Sequence, residues 1–234
     1  MRGCLFVLLA AALLISVGAW FGSPLLASTV LGVTLQNAGF VSDRMTITAS
    51  AEPPPKLLLG RADRVEIDAS GVSFRTFHAG SLDLVLTDVD LMARTADEIS
   101  GTVTDASVKT ADGVATNADV TIDGPATGAD ARIVVAGATI DRVVRSTFED
   151  EVGVAITRTE LAAPDILRII TPNATLEGRL VVDATGAIAL STRLGVSPIL
   201  SFDRSFPLRL RSVRVDGDDL RIDGTLDAIA LLGG

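Results

Sequence analysis

Catalytic residue types are scarce in this chain. Its 234 residues include no tyrosine, one tryptophan, one cysteine and one histidine, and aromatic residues make up 4%. A lone histidine, His78, rules out a paired-histidine metal site and any HExxH motif. Cys4, the only cysteine, lies inside the first apolar run, so it forms no intrachain disulfide and offers no exported nucleophile. No G-x-S-x-G, P-loop or G-x-G-x-x-G occurs. Paired carboxylates can serve as acid and base, but with 29 Asp and Glu such pairs arise by chance. Lysine is also rare: Lys56 and Lys109 stand against 18 arginines. The net charge of −9 disfavours nucleic acid as a partner, and it leaves any lipid contact to apolar surface or a local basic patch. The composition points to a non-enzymatic domain with no cofactor and no metal.

What is present begins with an apolar run. Cys4–Phe21 carries no charge, and Arg2 precedes it. Eighteen apolar residues are at the short end of a bilayer span, and Arg2 would stay cytoplasmic. The expectation is a signal-anchor over 1–22, which makes a single-pass membrane protein with an extracytoplasmic body. The alternative is a signal peptide cleaved near Val17-Gly18-Ala19, which leaves a secreted or periplasmic product. Residues 23–42 read as a short helix and linker, with Ser23-Pro24 at the start, Leu26, Val30 and Val33 on one face, and Asn37-Ala38-Gly39 as the stop.

The body, 43–234, has a dominant period of two. Met45, Ile47 and Ala49 alternate with polar residues, as do Val65, Ile67 and Ala69. Leu82, Leu84 and Leu86 alternate likewise, and the apolar face then shifts to Val89 and Leu91, which predicts a bulge. Further strands are expected at 102–109, 114–123, 129–136, 175–184, 187–194, 207–216 and 219–231. Between the two groups, Ile140, Val143, Val144, Phe148 and Val152 have helical spacing, with Thr139 as N-cap and Gly153 as stop. No βαβ rhythm occurs, so the fold class is α+β: a long curved antiparallel sheet wrapped around one or two helices.

Two stretches carry a specific resemblance. Pro55-Lys56-Leu57-Leu58-Leu59-Gly60-Arg61-Ala62-Asp63-Arg64-Val65-Glu66-Ile67 is followed by Ser81–Val89, and Phe206–Val215 is followed by Leu220-Arg221-Ile222-Asp223-Gly224. Together they resemble the beginning and end of the LmeA-like phospholipid-binding domain of actinobacterial and cyanobacterial envelopes. The resemblance covers about 43–231. It implies the tubular lipid-binding fold and phospholipid, or another acyl-chain lipid, as the partner.

Several residues are candidates for lipid contact. Phe74, Phe77, Ile140, Val144 and Phe148 either line a lipid cavity or fill a core, the default for such a set. Leu57, Leu58 and Leu59 break the strand alternation after three prolines. Consecutive apolar residues are usually buried, so a core-packed turn is the first reading and a bilayer-touching tip the second. Arg209 and Arg211 lie opposite Leu208 and Leu210, where they would meet a phosphate head group or be balanced by neighbouring aspartates. His78, in Phe77-His78-Ala79-Gly80, reads as a solvated loop residue. Asp216-Gly217-Asp218-Asp219 reads as a hairpin turn rather than a calcium loop. A filled structural module that docks a protein partner through a sheet edge is the rival to lipid binding.

Overall fold

The computed structural model describes residues 39–74, 77–109, 115–152, 155–193, 195–200 and 207–233, together with positions 29, 32, 33 and 36. The expected span 1–22 lies outside the described residues. Among the described residues no helix is long and apolar enough to cross a membrane.

Two antiparallel sheets make the body. The larger has nine strands: β1 (Phe40–Val41), β2 (Arg44–Ser50), β3 (Arg61–Phe74), β4 (Phe77–Asp90), β5 (Glu98–Lys109), β6 (Ala115–Pro125), β7 (Ala129–Val135), β13 (Leu208–Asp216) and β14 (Asp219–Leu226). Its order is β1-β3-β4-β5-β6-β7-β14-β13, with β2 also on β3 beyond β1. The smaller runs β12-β11-β10-β9-β8. Its strands are β8 (Arg158–Ala162), β9 (Ile166–Ile170), β10 (Thr175–Val182), β11 (Ile188–Thr192) and β12 (Gly195–Leu200). The single long sheet expected from the alternation is thus corrected to two.

Period-two patterning gives the larger sheet one apolar and one polar face, here called inner and outer. The pattern survives over 14-residue strands because it is reset where the backbone kinks. Asp88, at φ 48°, lies between Leu86 and Val89 and moves the apolar set back to the inner face; the β3–β4 register runs through unbroken, from Val65–Leu86 to Ala62–Val89, so the expected bulge is corrected to a kink. A second reset crosses three strands at one level. Gly71 is at φ 60° on β3 and Asp105 at φ 50° on β5, and a Cβ on Gly80 of β4 would lie 3.1 Å from Asp105. Val72, Ala79 and Ala106 thereby stay buried beyond the kink. The carboxylate of Asp119 accepts the Asp105 amide at 3.0 Å, which satisfies a donor at the bulge.

Helix α1 (Gly137–Val152) joins the two sheets. It lies against β8, β12, β14 and β6. Ile140, Val143, Val144 and Phe148 pack with Leu167, Ile169, Leu180, Ile188 and Leu190 of the small sheet, and with Ile133, Val135, Leu220 and Ile222 of the large one. The helix starts two residues before the expected cap. Ala136 accepts the amides of Thr139 and Ile140, and Thr139 is buried. From the middle of the helix, Arg145 donates to the Ile156 carbonyl and, at 2.8 Å, to that of Thr157.

Two further differences and one agreement concern the strands. The chain expected to continue as strand through 231 turns at Asp227 into α2 (Ala228–Gly233). His78 stands within β4, exposed, with Nδ1 2.9 Å from Ser73 Oγ, so it is a strand residue and not a loop one. Asp216 pairs with Asp219 across a tight hairpin whose Gly217 is at φ 65°, the turn read from Asp216-Gly217-Asp218-Asp219.

Candidate functional site

Cross-strand pairing lines up the inner-face residues into rows. One row runs Met45, Ala69, Leu82, Val103, Val120, Ile133, Ile222 and Val213. The next is Ile47, Ile67, Leu84, Gly101, Ile122, Ala131, Gly224 and Leu210. A third includes Ala49, Val65, Leu86 and Ile99 on one side and Ala129, Leu226 and Leu208 on the other. Beyond the kinks, Val72–Ala79 and Phe74–Phe77 extend the face one way and Ala62–Val89 the other. On β3 this apolar lane reaches from Ala62 to Phe74, about 40 Å at strand rise. A single leaflet of acyl chain is about 15 Å deep.

The lane has a low floor. Alanine is frequent in it (Ala49, Ala62, Ala69, Ala79, Ala106, Ala129 and Ala131), and glycines interrupt the middle row. Gly101 cannot carry a side chain, because a Cβ there would lie 2.0 Å from the Asp83 carbonyl oxygen. Gly224 is similarly confined, 2.8 Å from that of Arg209. Met45, Ile47, Ile67, Leu82, Leu84 and Val120 are only half-buried, so part of this apolar surface is not consumed by packing. At the β2 edge, a Cβ on Gly32 of the short helical segment would lie 3.9 Å from Ile47 Cδ1 and 4.0 Å from Met45 Cε. The other part of the expected segment, 24–28 included, lies outside the described residues.

The candidates from the sequence separate between two places. Phe74 and Phe77 face each other as a pair at the far end of the lane, and Phe40 stacks at a tilt 6.5 Å from Phe74. Ile140, Val144 and Phe148 do not join them. They lie in the second core under α1, where Val144 is fully buried and packing partners come from both sheets. Leu57, Leu58 and Leu59 form a 3-10 turn over Pro54–Leu59 and are split by it. Leu57 is buried, whereas Leu58 is 51% and Leu59 74% exposed. Sequence reasoning missed Met92, which is 84% exposed in the β4–β5 loop. It also missed the lane's floor, because a glycine signals a turn before it signals a shallow row.

Charge lies mostly on the outer face. Arg209 and Arg211 are on edge strand β13, and Arg211, at a register shift, reaches Asp130 at 2.6 Å. Arg214 and Arg132 approach Asp223 at 3.5 and 3.7 Å. Arg211, Arg214 and Arg132 are therefore balanced by aspartates on the outer face. Two concave openings on the surface have mixed polar and apolar linings. One, about 540 Å³, is lined by Gly101, Ile122 and Ala131 of the middle row together with Asp130, Arg211 and Asp223 among others. The second, about 570 Å³, lies over Gly137, Thr159 and Asp219.

Ionisation is perturbed at structural positions. Burial opposes the charge on Asp141, yet hydrogen bonds from Arg145 and Thr159 outweigh it and hold the carboxyl below its usual range. The Glu52 amide, at 2.5 Å, and Lys56, at 3.1 Å, do the same for Asp63, and so tie the leucine turn to β3. In the 183–186 turn the Thr185 hydroxyl and Ala187 amide lower Asp183. Among the described residues no group of three or more His, Cys, Asp or Glu could hold a metal ion.

The arrangement is an apolar face with a long, shallow, partly open lane, and at β7 and β14 it runs into the packed core under α1, with which it shares Ile133 and Ile222. No curated protein and no solved structure matches the chain. A family profile does, over residues 18–225. That span includes both stretches that carried the resemblance and all but the last residues of the lane and cores, and it places the chain in the LmeA-like phospholipid-binding family.

Proposed function

We propose that the protein holds a phospholipid with its acyl chains along the inner-face lane, as a membrane-tethered, extracytoplasmic and non-enzymatic domain of the cell envelope. The observation that carries this is the row of half-buried apolar residues, Ile47, Ile67 and Leu84, beside the small residues Gly101 and Ala131. Acyl methylenes laid on such a face gain about 0.8 kcal/mol each on leaving water. Family membership supports lipid as the ligand. The run Cys4–Phe21 behind Arg2 supports export and tethering. Passive binding suits a chain so poor in nucleophiles and bases, and carriage of the lipid between membranes is the use that such a lane fits.

The test is native mass spectrometry with lipid extraction on the full chain, taken from a bacterial host in mild detergent. Phospholipid retained near one per chain, and lost in Ile47→Asp/Leu84→Asp, is the expected result. A lipid-free mass that does not change on incubation with phospholipid vesicles would sink the proposal and favour the protein-docking module.

A further inference from the structure

Leu58, Leu59 and Met92 are large apolar side chains left exposed, and they belong to two loops at the same end of the larger sheet. The loops are joined. The Leu91 amide donates to the Gly60 carbonyl at 2.8 Å, and a Cβ on Gly60, which is at φ 75°, would lie 2.9 Å from Met92 Cγ. Each loop is also fixed from behind. Asp63 holds the Glu52 amide and Lys56, and Asp90 accepts the amides of Met92 and Ala93 at 3.0 and 2.9 Å. The apolar side chains are thus presented on constrained backbone, with Leu57 turned inward to meet the core.

The charge around this apex differs from that of the whole chain. Segments 54–61 and 91–94 carry Lys56, Arg61 and Arg94 and no carboxylate, in a protein of net charge −9. Lys56 and Arg61 are paired with Asp63 and Asp90 just behind the apex, and Arg94 is exposed at φ 58°. The apex is also continuous with the lane, because Ala62–Val89, the last inner-face pair, directly follows Gly60 on β3. Position 39 adjoins Phe40, level with Phe74, whereas position 32 is level with Met45 and Ile47. Followed backwards, the described chain therefore advances toward the Ser50 end, where the apex lies.

We propose that Leu58, Leu59 and Met92, ringed by Lys56, Arg61 and Arg94, form a prebuilt tip that inserts into the interface of an anionic phospholipid bilayer and sets the mouth of the lane on it. This deepens the lipid-binding reading and rests on it. Three side chains fall well short of the ~800 Å² per partner of a standard protein interface. Insertion into a bilayer needs only apolar area and nearby cations, with no complementary relief.

The experiment uses the full chain with Cys4→Ser and one new cysteine at Leu59, Met92 or, as a control in an exposed turn of the small sheet, Ala184. Each is labelled with an environment-sensitive fluorophore and reconstituted in equimolar phosphatidylglycerol–phosphatidylcholine vesicles, with and without brominated acyl chains. Bromine quenching at 59 and 92 but not at 184 is expected. Unquenched, water-like emission at 59 and 92 would overturn the tip. In a second measurement, Leu59→Asp/Met92→Asp should slow pick-up of labelled phosphatidylglycerol about tenfold with the amount of lipid bound at equilibrium unchanged. An unaltered pick-up rate counts against the tip. Wild-type protein that binds no lipid while its tip is quenched would overturn the lane and keep the tip.

Discussion

Asp141 on α1 accepts both the amide and the hydroxyl of Thr159 on β8, at 3.0 and 2.9 Å, through a single carboxylate oxygen. Its other oxygen takes Arg145 Nε at 2.7 Å, and Arg145 in turn donates to the Ile156 and Thr157 carbonyls. One carboxylate thus fastens the helix to the first strand of the small sheet.

Replacing Asp141 with Asn keeps the shape but discards the charge-assisted bonds, and should cost about 1–3 kcal/mol in denaturant unfolding. The sign of the pH effect follows from the depressed carboxyl. The folded state binds the proton more weakly than the unfolded chain, whose value is near 3.8. The contribution is therefore complete above the ordinary carboxylate range and is lost as pH falls through the folded value. Asp63 and Asp183, lowered too, add in the same direction. Wild type should lose stability steeply below about pH 4, and Asp141→Asn less steeply. Unfolding curves collected from pH 7 to 3 check this.

The two cores should answer differently to mutation. Leu190→Ala, in the filled core under α1, should cost about 2–5 kcal/mol and leave the lipid content per folded molecule unchanged. Ile67→Asp, on the half-buried lane, should remove the lipid at a smaller loss of stability. Thermal unfolding and lipid extraction on the same preparations separate the two effects.

Glycines at two sites test the backbone argument. Gly101→Ala places a methyl group against the Asp83 carbonyl, in a conformation at φ 154°. It should lower stability by at least about 1–3 kcal/mol. Gly186→Ala, with nothing within 4 Å of the new Cβ and φ 82°, meets only left-handed strain, about 1 kcal/mol. A ranking reversed in denaturation experiments would contradict the geometry.

Arg211→Gln breaks a bridge whose partners are 52% and 72% exposed. Such pairs are worth about 0–1 kcal/mol. The variant should unfold within that margin of wild type and retain its lipid, since the guanidinium lies on the outer face.

Much of this fold could be read from alternation alone. The strands from Met45 to Leu91 and the helix at Ile140–Val152 were marked by period, and the shift from Leu86 to Val89 marked the kink at Asp88. What escaped were elements too short to show a period. β8 has five residues, three of them charged or hydroxylic, and β12 contains Pro198, tolerated there on an edge strand. Nor does any local pattern say that β14, besides its hairpin partner β13, pairs with β7, from Leu220–Val135 to Leu226–Ala129. That pairing divided the expected single sheet in two, and it set Ile140, Val144 and Phe148 apart from Phe74 and Phe77. The site was legible as a collection of apolar residues but not as a lane, since adjacency across strands is fixed by register. Leu57, Leu58 and Leu59 show the same limit: their composition is uniform, and only the 3-10 turn decides which one faces inward.

The separation of the two apolar clusters bears on how such a protein survives losing its ligand. An acyl-chain carrier must pass through an empty state, and a molecule whose only core was its binding face would melt each time it delivered. On the proposed reading, α1 and the small sheet supply a keel, since Leu167, Leu180, Ile188 and Leu190 are buried outside the lane. Under that proposal the lane would be vacated and refilled while the hull stays whole.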